Sequence, residues 1–333
     1  MVIPEKTLGE PPASVEPDNF SAFGARVLNQ LSVSAWLPGA FLIVCAALLA
    51  WFRAKKVITL SGIDTYVEDN WVPLLVLALP ALVMTTLITQ AFAFESIRSL
   101  EGYWRRRGPA SWWRSFCIWR KLRKKKALTS RFHAAQARAF HGARPTLLKR
   151  RISAAVLLAV EANVANVEPP PGISEEQLSQ ANDLEWWKSC KPWDSAKLLR
   201  LDQDLNEFPE DNRIMPTTLG NILRAAEDQL RNTNGDIEGF VMRHRHLVPS
   251  RVLAHHDQFR TRLDMYCTLV FVAATVAMAS VPALWDLPAV DRMVVPLVLL
   301  VTSCVSYGAA LSSARGYRTA LRQIDNSVED THN

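Results

Sequence analysis

The chain has few cysteines and no pattern among them that binds a metal or frames a small secreted fold. Its five cysteines include no C-x-x-C spacing; three (Cys45, Cys267, Cys304) sit in apolar sequence, while Cys117 and Cys190 lie far apart in polar sequence. That excludes a disulfide scaffold and a zinc module, and it suits a reducing compartment. The beginning of the chain lacks the basic start and apolar core of a cleavable signal peptide. It carries Pro4, Pro11, Pro12 and Pro17 among Glu5, Glu10, Glu16 and Asp18, and reads as a disordered tail over 1–30. No Walker A loop, GxGxxG, HExxH or GxSxG string occurs. His244, His246, His255 and His256 cluster, but an i, i+2 pair points to different helix faces, so we expect no metal, no cofactor and no catalytic residue. Acidic pairs without a pocket are not acid–base chemistry.

The most informative absence is that of charge. Leu31–Phe52, Trp71–Phe94, Met265–Trp285 and Met293–Ala314 contain no Asp, Glu, Lys or Arg. Each is as long as the roughly 20 residues a helix needs to cross a bilayer core. Trp36, Trp51, Trp71 and Trp285 stand at their borders, where amphipathic rings favour the headgroup level. The expected architecture is an all-α membrane protein of four transmembrane helices. Two hairpins (31–94 and 264–314) flank a helical domain (127–263), with a basic Trp-rich interfacial helix over 95–126 and a C-terminal tail over 315–333.

Charge orients this arrangement. Eleven Lys and Arg lie between Arg98 and Lys126 against Glu101 alone. Arg260 and Arg262 precede the third stretch, and Arg315, Arg318 and Arg322 follow the fourth. The positive-inside tendency then places 95–263 and both termini in the cytoplasm, although the outer loop Arg53–Asn70 carries balanced charge. The net charge of +6 conceals two opposed fields. Residues 98–151 hold seventeen bases and one acid, whereas 161–240 hold sixteen acids and seven bases. An acidic lobe folding back on a basic helix is one consequence; independent solvated faces are the other.

Within the basic stretch, Trp112, Phe116 and Trp119 recur at i, i+4, i+7. Together with Trp104, Trp113, Arg114, Lys121, Lys124 and Lys125 they describe a helix lying against anionic lipid. Aromatic residues among cations also describe single-strand nucleic-acid surfaces, but a polybasic stretch touching a span is first a lipid signal. Inside the spans, Pro80 predicts a kink. Thr85, Thr89, Gln90, Ser303, Ser306, Gly308 and Ser312 provide either close helix packing or a hydroxyl-lined pore. No ionisable residue lies mid-span, which excludes a proton relay or voltage sensor.

Ser153–Val167 is apolar but too short to span and is interrupted by Glu161, Asn163 and Asn166, so it reads as a buried core helix ended by Glu168-Pro169-Pro170-Pro171-Gly172. Ser174-Glu175-Glu176-Gln177 has the capping-box pattern. Thr217 or Thr218 can cap a helix whose apolar residues Leu219, Ile222, Leu223, Ala226 and Leu230 share one face, with Arg224–Asp228 and Glu227–Arg231 as i, i+4 pairs. Asn212, Arg213, Asn221 and Arg224 are the candidate ligand- or partner-binding residues of that region.

Three strings carry a resemblance: Met215–Asp228 (M-P-T-x-L-G-N-x-L-R-A-A-E-D), Gly62–Glu68 (G-I-D-T-Y-V-E) and Ser96–Trp104 (S-I-R-x-L-E-G-Y-W). In these the chain resembles an uncharacterised group of bacterial integral membrane proteins. The resemblance implies the bacterial inner membrane and brings no activity with it. The expected function is that of a non-enzymatic, homo-oligomeric sensor or scaffold coupling a cytosolic domain to the membrane. Its expected partners are anionic lipids and a cytosolic protein or nucleotide ligand. The alternatives are a gated ion channel or membrane-permeabilising effector of stress or phage defence and, third, a small hydrolase or transferase.

Overall fold

The computed structural model describes residues 33–104, 108–230 and 237–330. The N-terminal tail, Arg105–Arg107 and Arg231 lie outside the described residues. All regular structure among the described residues is helical: α1 (Val33–Lys55), α2 (Ile63–Glu101), α3 (Pro109–Lys149), α4 (Ala154–Ala165), α5 (Glu175–Asp183), α6 (Pro192–Leu205), α7 (Thr218–Gln229), α8 (Ile237–His244), α9 (Ser250–Ala283) and α10 (Ala289–Asp330), with 3₁₀ turns at Trp186–Ser189 and Asp211–Arg213. Four helices (α1, α2, α9 and α10) are long and apolar enough to cross a membrane. Backbone contacts divide the chain into two compact units.

The first unit comprises the described residues up to Phe92 with Val272–Val301. Its interior joins Val276, Ala277 and Leu299 to Phe41, Leu42 and Cys45, and a second cluster joins Phe52, Leu284 and Leu287 to Trp51 and Ile58. A Cβ on Gly39 would lie 2.9 Å from Thr86 Oγ1 and 3.1 Å from Thr86 Cα, so α1 meets α2 backbone to backbone there. The Trp51 indole donates to the Thr59 carbonyl (3.0 Å) and its ring packs on Tyr66, which fastens the connection between these helices. Non-helical dihedrals interrupt α2 at Asn70, ten residues before the expected Pro80 kink, separating the Ile63–Asp69 turns from the apolar run. The outward faces carry Leu75, Leu77, Met84, Phe92 and Leu297, all exposed. An apolar surface of that extent calls for lipid or another protein rather than water.

The second unit comprises Ala93–Phe271 and the described residues from Thr302 onward. Its first core packs Phe140, Ala143 and Leu147 of α3 on Leu157 and Val160 of α4 and on Trp186, with Phe140 and Trp186 edge to face at 5.5 Å. The apolar stretch at Ser153–Val167 is this buried α4. Its Ser153 cap accepts from Val156 N–H, and Asn166 ends it in the left-handed conformation. The capping box at Ser174 forms with both reciprocal bonds, Gln177 N–H to Ser174 Oγ and Ser174 N–H to Gln177 Oε1.

Helix α7 is buried on both sides. Leu219 and Ile222 meet Leu263, Cys267, Ala310 and Ala314, while Ala226 and Leu230 meet Phe240, Tyr317, Leu321 and Ile324. The segment expected as a C-terminal tail therefore contributes Tyr317, Leu321, Ile324 and Val328 to a core. They recur at i, i+4, i+7, i+11, one face of α10. The basic helix does not end near Lys126 either, since α3 runs unbroken through that point to Lys149.

Candidate functional site

Two of the three singled-out strings meet in the second unit. The Ser96–Glu101 end of α2 stops at Gly102, whose φ of +98° only glycine adopts without strain, and whose missing Cβ makes room for the Pro216 ring. The Glu101 carbonyl, left unpaired at a helix end, accepts from Thr217 Oγ1 at 2.8 Å. The same Thr217 oxygen caps α7 by accepting from Gly220 N–H at 3.0 Å. Thr217 thus joins the last turn of one helix to the first turn of the next. Gly220 lies directly under the Glu101 carbonyl, where a Cβ would overlap that oxygen.

Asn221 supports this joint from below. It is 2% exposed, accepts from Met215 N–H (2.8 Å), and donates to the carbonyls of Met215 (3.0 Å) and Thr217 (2.7 Å). Its amide is fully engaged with backbone, so Asn221 shapes the loop and does not face a ligand.

Above the joint opens a cavity of about 450 Å³. Arg98 comes from the last turn of α2, Tyr103 and Trp104 from the residues just after it, Arg114 from α3, and Asn212, Arg213 and Arg224 from the 3₁₀ turn and α7. Arg213 pairs with Glu227 and Asp228, and Arg224 pairs with Glu227 and the Tyr103 hydroxyl. The guanidinium groups of Arg98 and Arg224 both lie over the Tyr103 ring, at 5.7 and 5.4 Å. Trp104 is fixed by an indole bond to the Ser99 carbonyl (2.8 Å). The expected Arg224–Asp228 pair is replaced by Arg224–Glu227 and Asp228–Arg213, because the 211–213 turn folds against α7 and brings Arg213 to Asp228. Three of the four candidate ligand residues, Asn212, Arg213 and Arg224, therefore share one wall.

The expected lipid-facing group separates into three parts, one of which, Trp104 and Arg114, lines the cavity. Trp112, Trp113, Phe116 and Trp119 are exposed, and Trp112, Phe116 and Trp119 stack in succession at 6.2 and 6.0 Å. Arg123 covers Trp119 at 4.6 Å. Lys121 and Lys125, by contrast, reach the acidic segment. Lys121 Nζ donates to Thr218 Oγ1 (2.6 Å), and Lys125 Nζ to Asp211 Oδ1 (2.6 Å) and the Pro209 carbonyl (2.8 Å). Burial, then the charges of Lys124 and Arg120, hold the Lys121 ammonium below the ordinary lysine range. Arg315 pairs with Glu207 and Arg318 donates to the Asn206 carbonyl, so cations from α3 and α10 both contact residues 206–211. Lys125→Ala is expected to lower unfolding free energy by about 1 kcal/mol, while Lys124→Ala, at an exposed position, should stay within about 0.5 kcal/mol of wild type. Chemical unfolding followed by tryptophan fluorescence measures both, and equal effects would contradict the assignment of Lys125 to this contact.

The small polar residues of the long helices are mostly satisfied within the protein. Thr85 donates to the Ala81 carbonyl (2.8 Å), Thr89 to that of Thr86 (3.0 Å) and Ser303 to that of Val270 (3.1 Å). Ser306 is buried, whereas Gln90, Gly308 and Ser312 are exposed. No atom lies within 4 Å of a Cβ placed on Gly308; the close approach of α9 and α10 falls instead at Gly316, beneath the Phe259 ring. His256 is buried beside the Tyr317 ring at 5.0 Å, with its Nδ1 3.0 Å from Asp257. Among the described residues no cluster of His, Cys, Asp and Glu could hold a metal ion.

In the sequence Arg98 reads only as a flanking charge, Arg114 as lipid-facing, and Tyr103 carries no site signal of its own. The signal that joins Arg98 and Tyr103 to Arg224 is the presence of Ser96–Trp104 and Met215–Asp228 as paired distinctive strings; Arg114 lies in neither. Comparison of the chain with protein-family models, with curated proteins and with solved structures finds no match in any of the three.

Proposed function

We propose that this protein is a four-span membrane sensor or scaffold that couples a helical cytosolic domain to the bilayer without catalysing a reaction. In this reading the two hairpins lie in the bacterial inner membrane with both termini cytoplasmic, and the chain works as a homo-oligomer. The observation that carries it is the joint at Glu101, Thr217 and Gly220. A long apolar helix ends there in direct contact with α7, which is buried against two clusters of the second unit. Helices α9 and α10 support the same reading, because each continues unbroken from its apolar run into polar, core-forming turns. Exposure of Gly308 and Ser312 on α10 leaves a small-residue face open to a second copy. Engagement of Thr85, Thr89 and Ser303 with helix carbonyls favours packing over ion coordination.

Topology tests the reading directly. A reporter fused after Lys126 or Asp202 is expected to register in the cytoplasm and one inserted within Ser61–Thr65 outside, because the Lys and Arg excess lies at 98–151. An external signal at Asp202 would overturn the architecture.

A further inference from the structure

We propose that the cavity bounded by Arg98, Arg114, Arg213 and Arg224 binds a phosphate group, carried either by a soluble ligand or by a phospholipid headgroup. The site deepens the reading above and rests on it for the consequence of binding, that occupancy reports to the membrane helices.

The four arginines come from three segments, the end of α2, the start of α3 and residues 211–224, and line one opening. Two of them are held from behind: Glu227 and Asp228 fix Arg213, and Glu227 with the Tyr103 hydroxyl fixes Arg224. Such bracing orients the planar forks before a ligand arrives, which lowers the ordering cost of binding. The other two lack a close carboxylate. Arg98 has only a 3.9 Å pair with the well-exposed Glu95, and Arg114 has no ion pair among the described residues. Guanidinium forks match carboxylate and phosphate alike. A carboxylate offers two oxygens in one plane and is saturated by two forks. A tetrahedral phosphate offers three or four oxygens in different directions, so the open forks of Arg98 and Arg114 can take some of them while the N–H groups that Arg213 and Arg224 do not spend on Glu227, Asp228 and Tyr103 take the others. Asn212 adds a neutral donor at the rim, and the Trp104 ring adds an apolar wall for whatever the phosphate is attached to. The volume of about 450 Å³ exceeds a bare anion and falls within the range of small-molecule sites, roughly 300–1,000 Å³.

Full-length protein in a phosphate-free maltoside detergent, titrated calorimetrically with inorganic pyrophosphate, tests the site. Saturable binding is expected, weakened at least tenfold by Arg114→Gln and again by adding Arg98→Gln, and unchanged by Arg123→Gln, whose side chain covers Trp119 outside the cavity. Arg114 has no partner to strand, so its replacement leaves the fold intact, as circular dichroism would verify. Repeating the titration in nanodiscs containing phosphatidylglycerol separates the two sources. A headgroup ligand abolishes pyrophosphate binding there, and native mass spectrometry shows the retained lipid lost in the Arg98/Arg114 double variant; a soluble ligand leaves pyrophosphate binding in place. Absence of both pyrophosphate binding and Arg-dependent lipid retention, or binding indifferent to the double variant, overturns the proposal. The two tests fail separately, because reporter topology is read without any ligand and calorimetry without any assumption about sidedness.

Discussion

Gly220→Ala should lower the unfolding free energy by about 3 kcal/mol, the upper end of ordinary overpacking, because the obstructing atom is backbone. The added Cβ would overlap the Glu101 carbonyl oxygen and lie 2.9 Å from its carbon, and neither can rotate away as a side chain would. Relief requires α7 to move off the end of α2. That movement also removes the Thr217 hydroxyl from Glu101 and unseats Leu219 and Ile222 from their cluster. The control is Gly142→Ala. That glycine lies inside α3 with open space around its Cβ position, and alanine there should stabilise by about 0.5–1 kcal/mol through helix propensity. Chemical unfolding in detergent measures the pair. If Gly220→Ala behaves like Gly142→Ala, the joint is not close-packed and the carrying observation of the proposed function is lost.

The contrast between these two glycines shows what a sequence makes legible here. Local features were readable because their causes are local. The charge-free runs became the four long helices, and Ser174 and Thr217 became caps because a short hydroxyl side chain before a periodic run has few other uses. The C-terminal face Tyr317, Leu321, Ile324, Val328 was also written in the spacing, but a polar segment after a span invites reading as a tail. What depends on folding over distance was hidden. Arg98, Arg114 and Arg213 belong to three segments, and only the turn at 211–213 and the stop at Gly102 bring them to one cavity. Lys121 and Lys124 are three residues apart on one basic helix, yet only Lys121 reaches Thr218. The choice is made by where α7 packs, not by residue type. Gly308 and Gly316 make the same point, since which small residue a neighbouring helix touches is set by helix rotation, and it is Gly316 that meets Phe259.

That last contact yields the second large effect. Gly316→Val is expected to cost about 3 kcal/mol, since the first added carbon alone would sit 2.6 Å from Phe259 Cζ and closer still to two other ring atoms, before the branched methyls are placed. Here the obstruction is a side chain that is only half buried, so it can be removed without emptying a deep core. Phe259→Ala by itself sacrifices ring packing against the cluster that holds Tyr317 and Leu321 and should destabilise by less than the roughly 3–5 kcal/mol of a fully buried phenylalanine. Combined, the two substitutions should be less destabilising than their sum by about 1–2 kcal/mol, because each makes room for the other. The crossing lies where α9 and α10 pack beside buried His256 and Tyr317, on the polar turns that adjoin their apolar runs. If those turns transmit a shift between domain and bilayer, Gly316→Val should also blunt any ligand-induced change in Trp285 fluorescence, and the Phe259→Ala background should restore it. Strict additivity in stability would mean that α9 and α10 are not in close contact at Gly316, and the coupling route through this crossing would be withdrawn.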